Sequence, residues 1–134
     1  MTEFPLKIVT PDGLRFDGNA EELIVRSSAG DVAILAKHIN YVTSLGMGQA
    51  VIVSKGQSRT AACIGGMLSV VDGHVTLLPS TFEWSDQIDV ERADASYRRA
   101  DAVLHDKNAS ETDLKLAEAR LRRALIRKSV ASSK

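Results

Sequence analysis

Residues 65–78 read Gly65-Gly66-Met67-Leu68-Ser69-Val70-Val71-Asp72-Gly73-His74-Val75-Thr76-Leu77-Leu78. Asp72-Gly73 is a two-residue turn signal between two runs rich in Leu and Val. That pattern predicts a β-hairpin.

Upstream, short β-type runs recur. Leu6-Lys7-Ile8-Val9-Thr10 ends at Pro11-Asp12-Gly13, and Leu14-Arg15-Phe16 ends at a second turn signal, Asp17-Gly18. Glu22–Arg26, Val32–Leu35 and Tyr41–Leu45 follow, and Gly46 and Gly48 break the chain before Ala50–Val53. Lys55-Gly56-Gln57-Ser58 reads as a hairpin connection into Arg59–Ile64. Strands at spacings of roughly 8–12 residues predict an antiparallel β-sandwich or barrel. No helical stretch interrupts them, which disfavours a parallel βαβ architecture.

Downstream the composition changes. All 9 Gly and all 3 Pro lie before Ser80. Val90, Ala93, Tyr97, Ala100 and Leu104 recur at helical spacing, and so do Leu114, Ala117, Leu121 and Ala124. Lys107-Asn108-Ala109 interrupts the two runs, and Ser110 with Asp113 resembles a capping box. Two helices of about five turns each, joined by a short loop, predict an antiparallel αα-hairpin. The fold class is α+β: a sandwich over residues 1–85 and a hairpin over 86–134. Alanine seams bury little apolar area, so the hairpin is expected to open readily. Trp84, at the junction, is expected to pack between the two parts.

The chain of 134 residues is 44% hydrophobic and 25% charged, ordinary globular usage for about one domain. With 17 basic and 17 acidic side chains, it lacks the surplus of a generic nucleic-acid binder. The charge is uneven in place: residues 120–134 hold 6 basic and no acidic side chains. A single cysteine, Cys63, makes no internal disulfide and no thiolate metal cage; it reads as a small buried hydrophobe. No apolar run spans a bilayer, and the first five residues lack the marks of a signal peptide. The default compartment is reducing cytoplasm.

A conventional active site does not assemble. GxSxG, P-loop, GxGxxG and HExxH patterns are missing, and His38, His74 and His105 are isolated in sequence. The expectation is no catalytic residue, no metal site and no required cofactor.

Four stretches carry a resemblance: Ile8-Val9-Thr10-Pro11-Asp12-Gly13 with Phe16-Asp17-Gly18; Gly30-Asp31 through His38 and Val42-Thr43-Ser44-Leu45; Gly65-Gly66-Met67-Leu68-Ser69-Val70; and Ile88-Asp89-Val90-Glu91-Arg92-Ala93. In order and spacing they resemble the epsilon subunit of bacterial rotary F-type ATP synthases (delta in mitochondria). The chain departs from that pattern at Ala33, where the family has glycine, and at Ala36 and Asn40, where it has prolines. A leucine is replaced by Tyr41.

The resemblance implies a non-catalytic central-stalk subunit that couples ion-driven rotation to ATP synthesis. It would sit peripherally on the cytoplasmic face of the cell membrane, held there through the complex. The sandwich would bind the gamma subunit and the c-ring, with rotor contact through Lys37, His38, Ile39 and Asn40. The helices would inhibit ATP hydrolysis by reaching the alpha and beta subunits. Arg120, Arg122, Arg123, Arg127 and Lys128 are the candidates to meet an acidic segment of beta. Glu118 and Arg122 also suit an ordinary i,i+4 pair.

Some members bind ATP on the folded hairpin as a regulatory ligand. The positions here that resemble that site are Glu83, Ile88, Asp89, Arg92, Ala93, Arg99, Arg123 and Arg127. Forked guanidinium donors suit phosphate oxygens, and each arginine pair shares a helix face. Asp89 reads equally as a helix cap. The rival readings are a stand-alone ATP-sensing module and a small enzyme or carbohydrate-binding sandwich. The latter lacks an acid pair, a metal set or an aromatic platform.

Overall fold

The computed structural model describes residues 2–132. Ten strands form two five-stranded sheets: β1 (Phe4–Thr10), β2 (Gly13–Ala20), β3 (Glu22–Ser27), β4 (Gly30–Leu35), β5 (Tyr41–Ser44), β6 (Met47–Ser54), β7 (Gln57–Ile64), β8 (Met67–Val71), β9 (His74–Leu78) and β10 (Thr81–Trp84). One sheet runs β2-β1-β9-β8-β5 and the other β10-β7-β6-β3-β4. Every pairing is antiparallel except β1 with β9, which is parallel. A 3₁₀ turn, Ser85–Gln87, leads to α1 (Val90–Leu104) and α2 (Glu111–Ser132).

The sandwich obeys the period of two. In β1, Phe4, Leu6 and Ile8 point inward, and they meet Leu23, Val25, Ile34, Ile52, Leu68, Val70 and Leu77 in one core. Asp72-Gly73 joins β8 to β9 and Lys55-Gly56 joins β6 to β7. All four residues have positive φ, the requirement of a tight hairpin turn.

Two local turn signals are overridden. Asp17-Gly18 is not a turn: β2 continues through it, with Asp17 opposite Lys7 and Gly18 opposite Leu6. The long ladder with β1, which also sets opposite charges across from each other, outweighs the local preference. Gly48 likewise lies inside β6. A Cβ there would come within 2.7 Å of Arg26 Cβ, so close packing on β3 accounts for this glycine, not a chain break.

The helices differ in length, 15 residues for α1 and 22 for α2, where two equal helices were expected. Asp89 caps α1 by accepting from the Arg92 backbone N–H at 3.0 Å. Ser110 Oγ accepts from the Asp113 backbone N–H at 3.1 Å at the start of α2. The seam centres on buried Ala93, Ala100, Ala117 and Ala124. These small residues let the backbones approach closely, while Val90, expected on the seam, stands 50% exposed at the first turn of α1.

α2 carries the hairpin onto the sandwich. Val130, Ala131 and Ile126 pack with Ile88 on Ala62 of β7. Trp84 is not in that junction. β10 alternates, so Phe82 and Trp84 turn into the sandwich core and Thr81 and Glu83 face the opposite way. The Trp84 ring meets Phe82 edge-on at 4.9 Å, and the Arg59 guanidinium lies 3.7 Å from its centroid.

Candidate functional site

β10 is the outermost strand of its sheet and continues, through the 3₁₀ turn, into the capped start of α1. α2 returns antiparallel beside α1. These three elements, with the start of β2, enclose a cleft of about 550 Å³. Its walls carry Arg15, Arg92, Arg99 and Arg127 against Asp12, Glu83 and Asp89, with Thr81, Gln87, Ala93 and Ser96 between them.

Six of the eight positions expected at an ATP site line this one cleft: Glu83, Asp89, Arg92, Ala93, Arg99 and Arg127. Ile88 and Arg123 do not. Ile88 is buried beneath the cleft in the contact between α2 and β7. Arg123 sits one turn nearer the hairpin tip than Arg127. It lines an adjoining cavity of about 630 Å³ with Arg99, Arg120, Asp106 and Asp113. Ser96 and Arg99 line both spaces.

The cleft's charges are partly committed. Arg127 Nε donates to Glu83 Oε1 at 2.6 Å. Asp89 is occupied by the helix cap. Beside the cleft, Lys128 Nζ donates to Asp94 at 3.0 Å and lies 4.7 Å from the Tyr97 ring centroid, and Arg98 pairs with the same Asp94. These hydrogen bonds, from Lys128 first and then Arg98, hold the Asp94 carboxyl below the usual aspartate range. The guanidinium groups of Arg15, Arg92 and Arg99 form no ion pair among the described residues. Free forks of that kind suit a polyanion.

Of the residues expected to meet an acidic partner, Arg122 pairs with Glu118 at 2.9 Å along the exposed face of α2. Arg127 is engaged by Glu83 of β10 and Lys128 by Asp94 of α1, and Arg120 and Arg123 line the tip cavity.

The segment expected at a rotor lies elsewhere. Residues 36–40 link β4 to β5, the outer strands of the two sheets. Lys37, Ile39 and Asn40 are exposed and His38 is half-buried. His38 Nδ1–H donates to its neighbour's carbonyl, Ile39 O, at 2.8 Å. Asn40 Oδ1 accepts from the Asp72 N–H at 2.9 Å, so a side-chain bond to the β8–β9 turn ties down this loop.

Arg15 and Asp12 were not legible as cleft residues. They precede β10 by about 70 residues and belong to the other sheet and its β1–β2 turn, and only the packing of the two sheets, with β2 and β10 as edge strands, brings them beside it. β10 itself also escaped the sequence reading. The alternation in Thr81-Phe82-Glu83-Trp84 is a signal for it, but four residues directly after Pro79-Ser80 make it a short one. Of the other histidines, His74 Nδ1 contacts Asp72 O at 3.1 Å at the β9 start, and His105 Nδ1 contacts Asp101 O at 2.8 Å at the end of α1. Among the described residues no three His, Cys, Asp or Glu side chains converge as a metal site. No helix there is long and apolar enough to cross a membrane.

Comparison with known proteins accounts for both halves. Residues 3–85 match the ATP synthase delta/epsilon chain β-sandwich domain, and residues 86–132 match the long α-helix domain of the same chain. The ATP synthase epsilon chain of Ruminococcus albus is 43% identical over 135 residues, covering 100% of both chains. That of Bacillus licheniformis is 40% identical over 131 residues, covering 98% of this chain and 99% of the relative. Among solved structures, a chain of the Euglena gracilis mitochondrial ATP synthase OSCP/F1/c-ring assembly superposes with a TM-score of 0.84 at 19% identity. The match covers 96% of this chain and 81% of that one. A chain of the Tetrahymena thermophila mitochondrial ATP synthase central stalk and c-ring gives 0.62 at 15% identity, covering 97% of each. Sandwich, hairpin and full-length identity coincide, and the chain belongs to the ATP synthase epsilon chain family.

Proposed function

We propose that this chain is the central-stalk epsilon subunit of a bacterial F-type ATP synthase, and that its hairpin is an ATP-responsive brake on hydrolysis. The sandwich would bind the gamma subunit and the c-ring, with the exposed loop of Lys37, His38, Ile39 and Asn40 as the rotor contact. Catalysis would belong to other subunits. The protein would sit peripherally on the cytoplasmic face of the membrane through its complex.

The observation that carries the ligand reading is the convergence of Glu83, Asp89, Arg92, Ala93, Arg99 and Arg127 on one cleft. Crowded guanidinium groups repel one another, and a bound triphosphate relieves that repulsion while bridging α1 to α2. ATP therefore favours the folded hairpin, because a ligand that binds only one state stabilises that state. In the extended state Arg127 and Lys128 leave Glu83 and Asp94. With Arg120, Arg122 and Arg123 they become available to acidic surfaces of the catalytic head.

Two experiments test this. Calorimetric titration of the full chain with ATP is expected to give one site, lost in Arg92→Ala; a chain that takes up no ATP removes the ligand. Hydrolysis by the complex is expected to rise when the hairpin is deleted after residue 87. An unchanged rate with retained gamma binding removes the brake.

A further inference from the structure

Arg15 occupies an unusual place in the sandwich. β2 pairs with β1 so that Phe16 faces Ile8 and Leu14 faces Val9. Arg15 is the extra residue between them, the bulged position of the strand. A bulge breaks the inward-outward alternation and re-aims a side chain, and such positions concentrate beside functional sites. Here the bulge puts Arg15 on the wall of the arginine cleft, against elements from the other end of the chain.

Its hydrogen-bonding is incomplete. Arg15 Nε is shut off from water and has no hydrogen-bond partner, the one such buried side-chain atom among the described residues. The carboxylates that would satisfy it are taken or distant. Glu83 is bound by Arg127, Asp89 caps α1, and Asp12 on the same wall forms no ion pair with Arg15. A buried donor in a native protein is almost always satisfied, so the orphan leaves Arg15 poised to turn its guanidinium toward an acceptor in the cleft that it lines. A guanidinium has donors only, and its strongest partner is a bidentate oxyanion.

We propose that Arg15 is a phosphate-binding residue of the cleft and that the nucleotide fastens the hairpin to the sandwich. This rests on the ATP reading above and extends it. Without Arg15, the sandwich side of the cleft would offer the phosphates no cation, only the Glu83 and Asp12 carboxylates. A ligand that also engages Arg15 spans β2, α1 and α2, so releasing the hairpin from the sandwich breaks a phosphate contact. The bulge then serves to deliver a cation to the ligand from the part of the protein that does not move.

The test is calorimetric titration of the full chain and its Arg15→Met, Arg15→Lys and Arg92→Ala variants with ATP and with adenosine, alongside melting curves without ligand. Expected are an ATP affinity about tenfold lower in Arg15→Met, an intermediate value in Arg15→Lys, and adenosine binding unaltered. The ligand-free melting temperature should stay near that of the parent. ATP binding unaltered in Arg15→Met but lost in Arg92→Ala overturns the role of Arg15 and leaves the cleft standing. Equal losses for ATP and adenosine also overturn it, since Arg15 would then shape the cleft rather than hold phosphate. If the parent chain takes up no ATP, the nucleotide reading itself fails and this inference with it. Should Arg15→Met not fold, Arg15→Gln takes its place with the same outcomes.

Discussion

Arg127 Nε donates to Glu83 Oε1 at 2.6 Å across 44 residues of chain, joining the last third of α2 to β10. The two side chains are 27% and 33% exposed, so water screens the pair only in part. This contact and the apolar seat of Val130 and Ala131 on Ala62 hold the hairpin against the sandwich. The pair also borders the cleft, so the latch and the proposed ligand site share a residue on each side.

Breaking that latch should loosen the hairpin without unfolding the sandwich. A double-mutant cycle of Glu83→Gln and Arg127→Gln is expected to give a coupling of about 1 kcal/mol. The readout is hydrogen exchange at α1 and α2 amides, with the amides of β1, β8 and β9 keeping their protection. A coupling near zero would make the apolar seat the whole of the attachment.

Asp94 should make the contact between the helices pH-dependent. Its folded carboxyl lies below the ordinary aspartate range because Lys128 and then Arg98 hydrogen-bond to it. A depressed acid stabilises the folded form above its unfolded value near about 4, and that contribution is lost as pH falls through the folded value. Carbon-13 titration of the Asp94 carboxyl should show the lowered midpoint, and Lys128→Ala should move it back up.

Cys63 should be inert. Burial in the sandwich core raises its thiol to about 12, so almost no thiolate exists at neutral pH. A thiol reagent at about pH 8 is expected to leave the folded chain unlabelled and to label it fully in strong denaturant. Rapid labelling without denaturant would mean that β7 opens.

Two backbone positions should respond in opposite directions. Gly66 has φ +98°, and a Cβ there would overlap the carbonyl oxygen of Leu78, so Gly66→Ala should cost about 3 kcal/mol or more. Lys37 holds φ 65° on the exposed loop, so Lys37→Gly should gain about 0.5–1 kcal/mol. Urea unfolding midpoints of the two variants decide both.

Much of the fold was legible because its signals are local. Asp72-Gly73 and Lys55-Gly56 need only their own φ angles to make turns, and alternation or helical spacing marks which face is buried. The same locality misled at Asp17-Gly18, where pairing with β1 decides the backbone, and at Trp84, where alternation along an unrecognised β10 decides which way the ring faces. Of the cleft, the helix-borne arginines Arg92, Arg99 and Arg127 were legible from their spacing and their likeness to a family. Arg15 was not, nor was the separation of Arg123 into the neighbouring cavity. By itself the sequence determined nine of the ten described strands, the two helices, their caps and the kinship, because each rests on residues near one another in the chain. Only the tertiary structure decided which charges meet between elements, whereas Glu118 and Arg122 pair within one helix as their spacing allows. Glu83 with Arg127 and Asp94 with Lys128 are juxtaposed by the docking of α2, and Arg15 comes to the same cleft through a bulge in a strand. Those contacts depend on how layers pack, and no spacing within the chain encodes that packing.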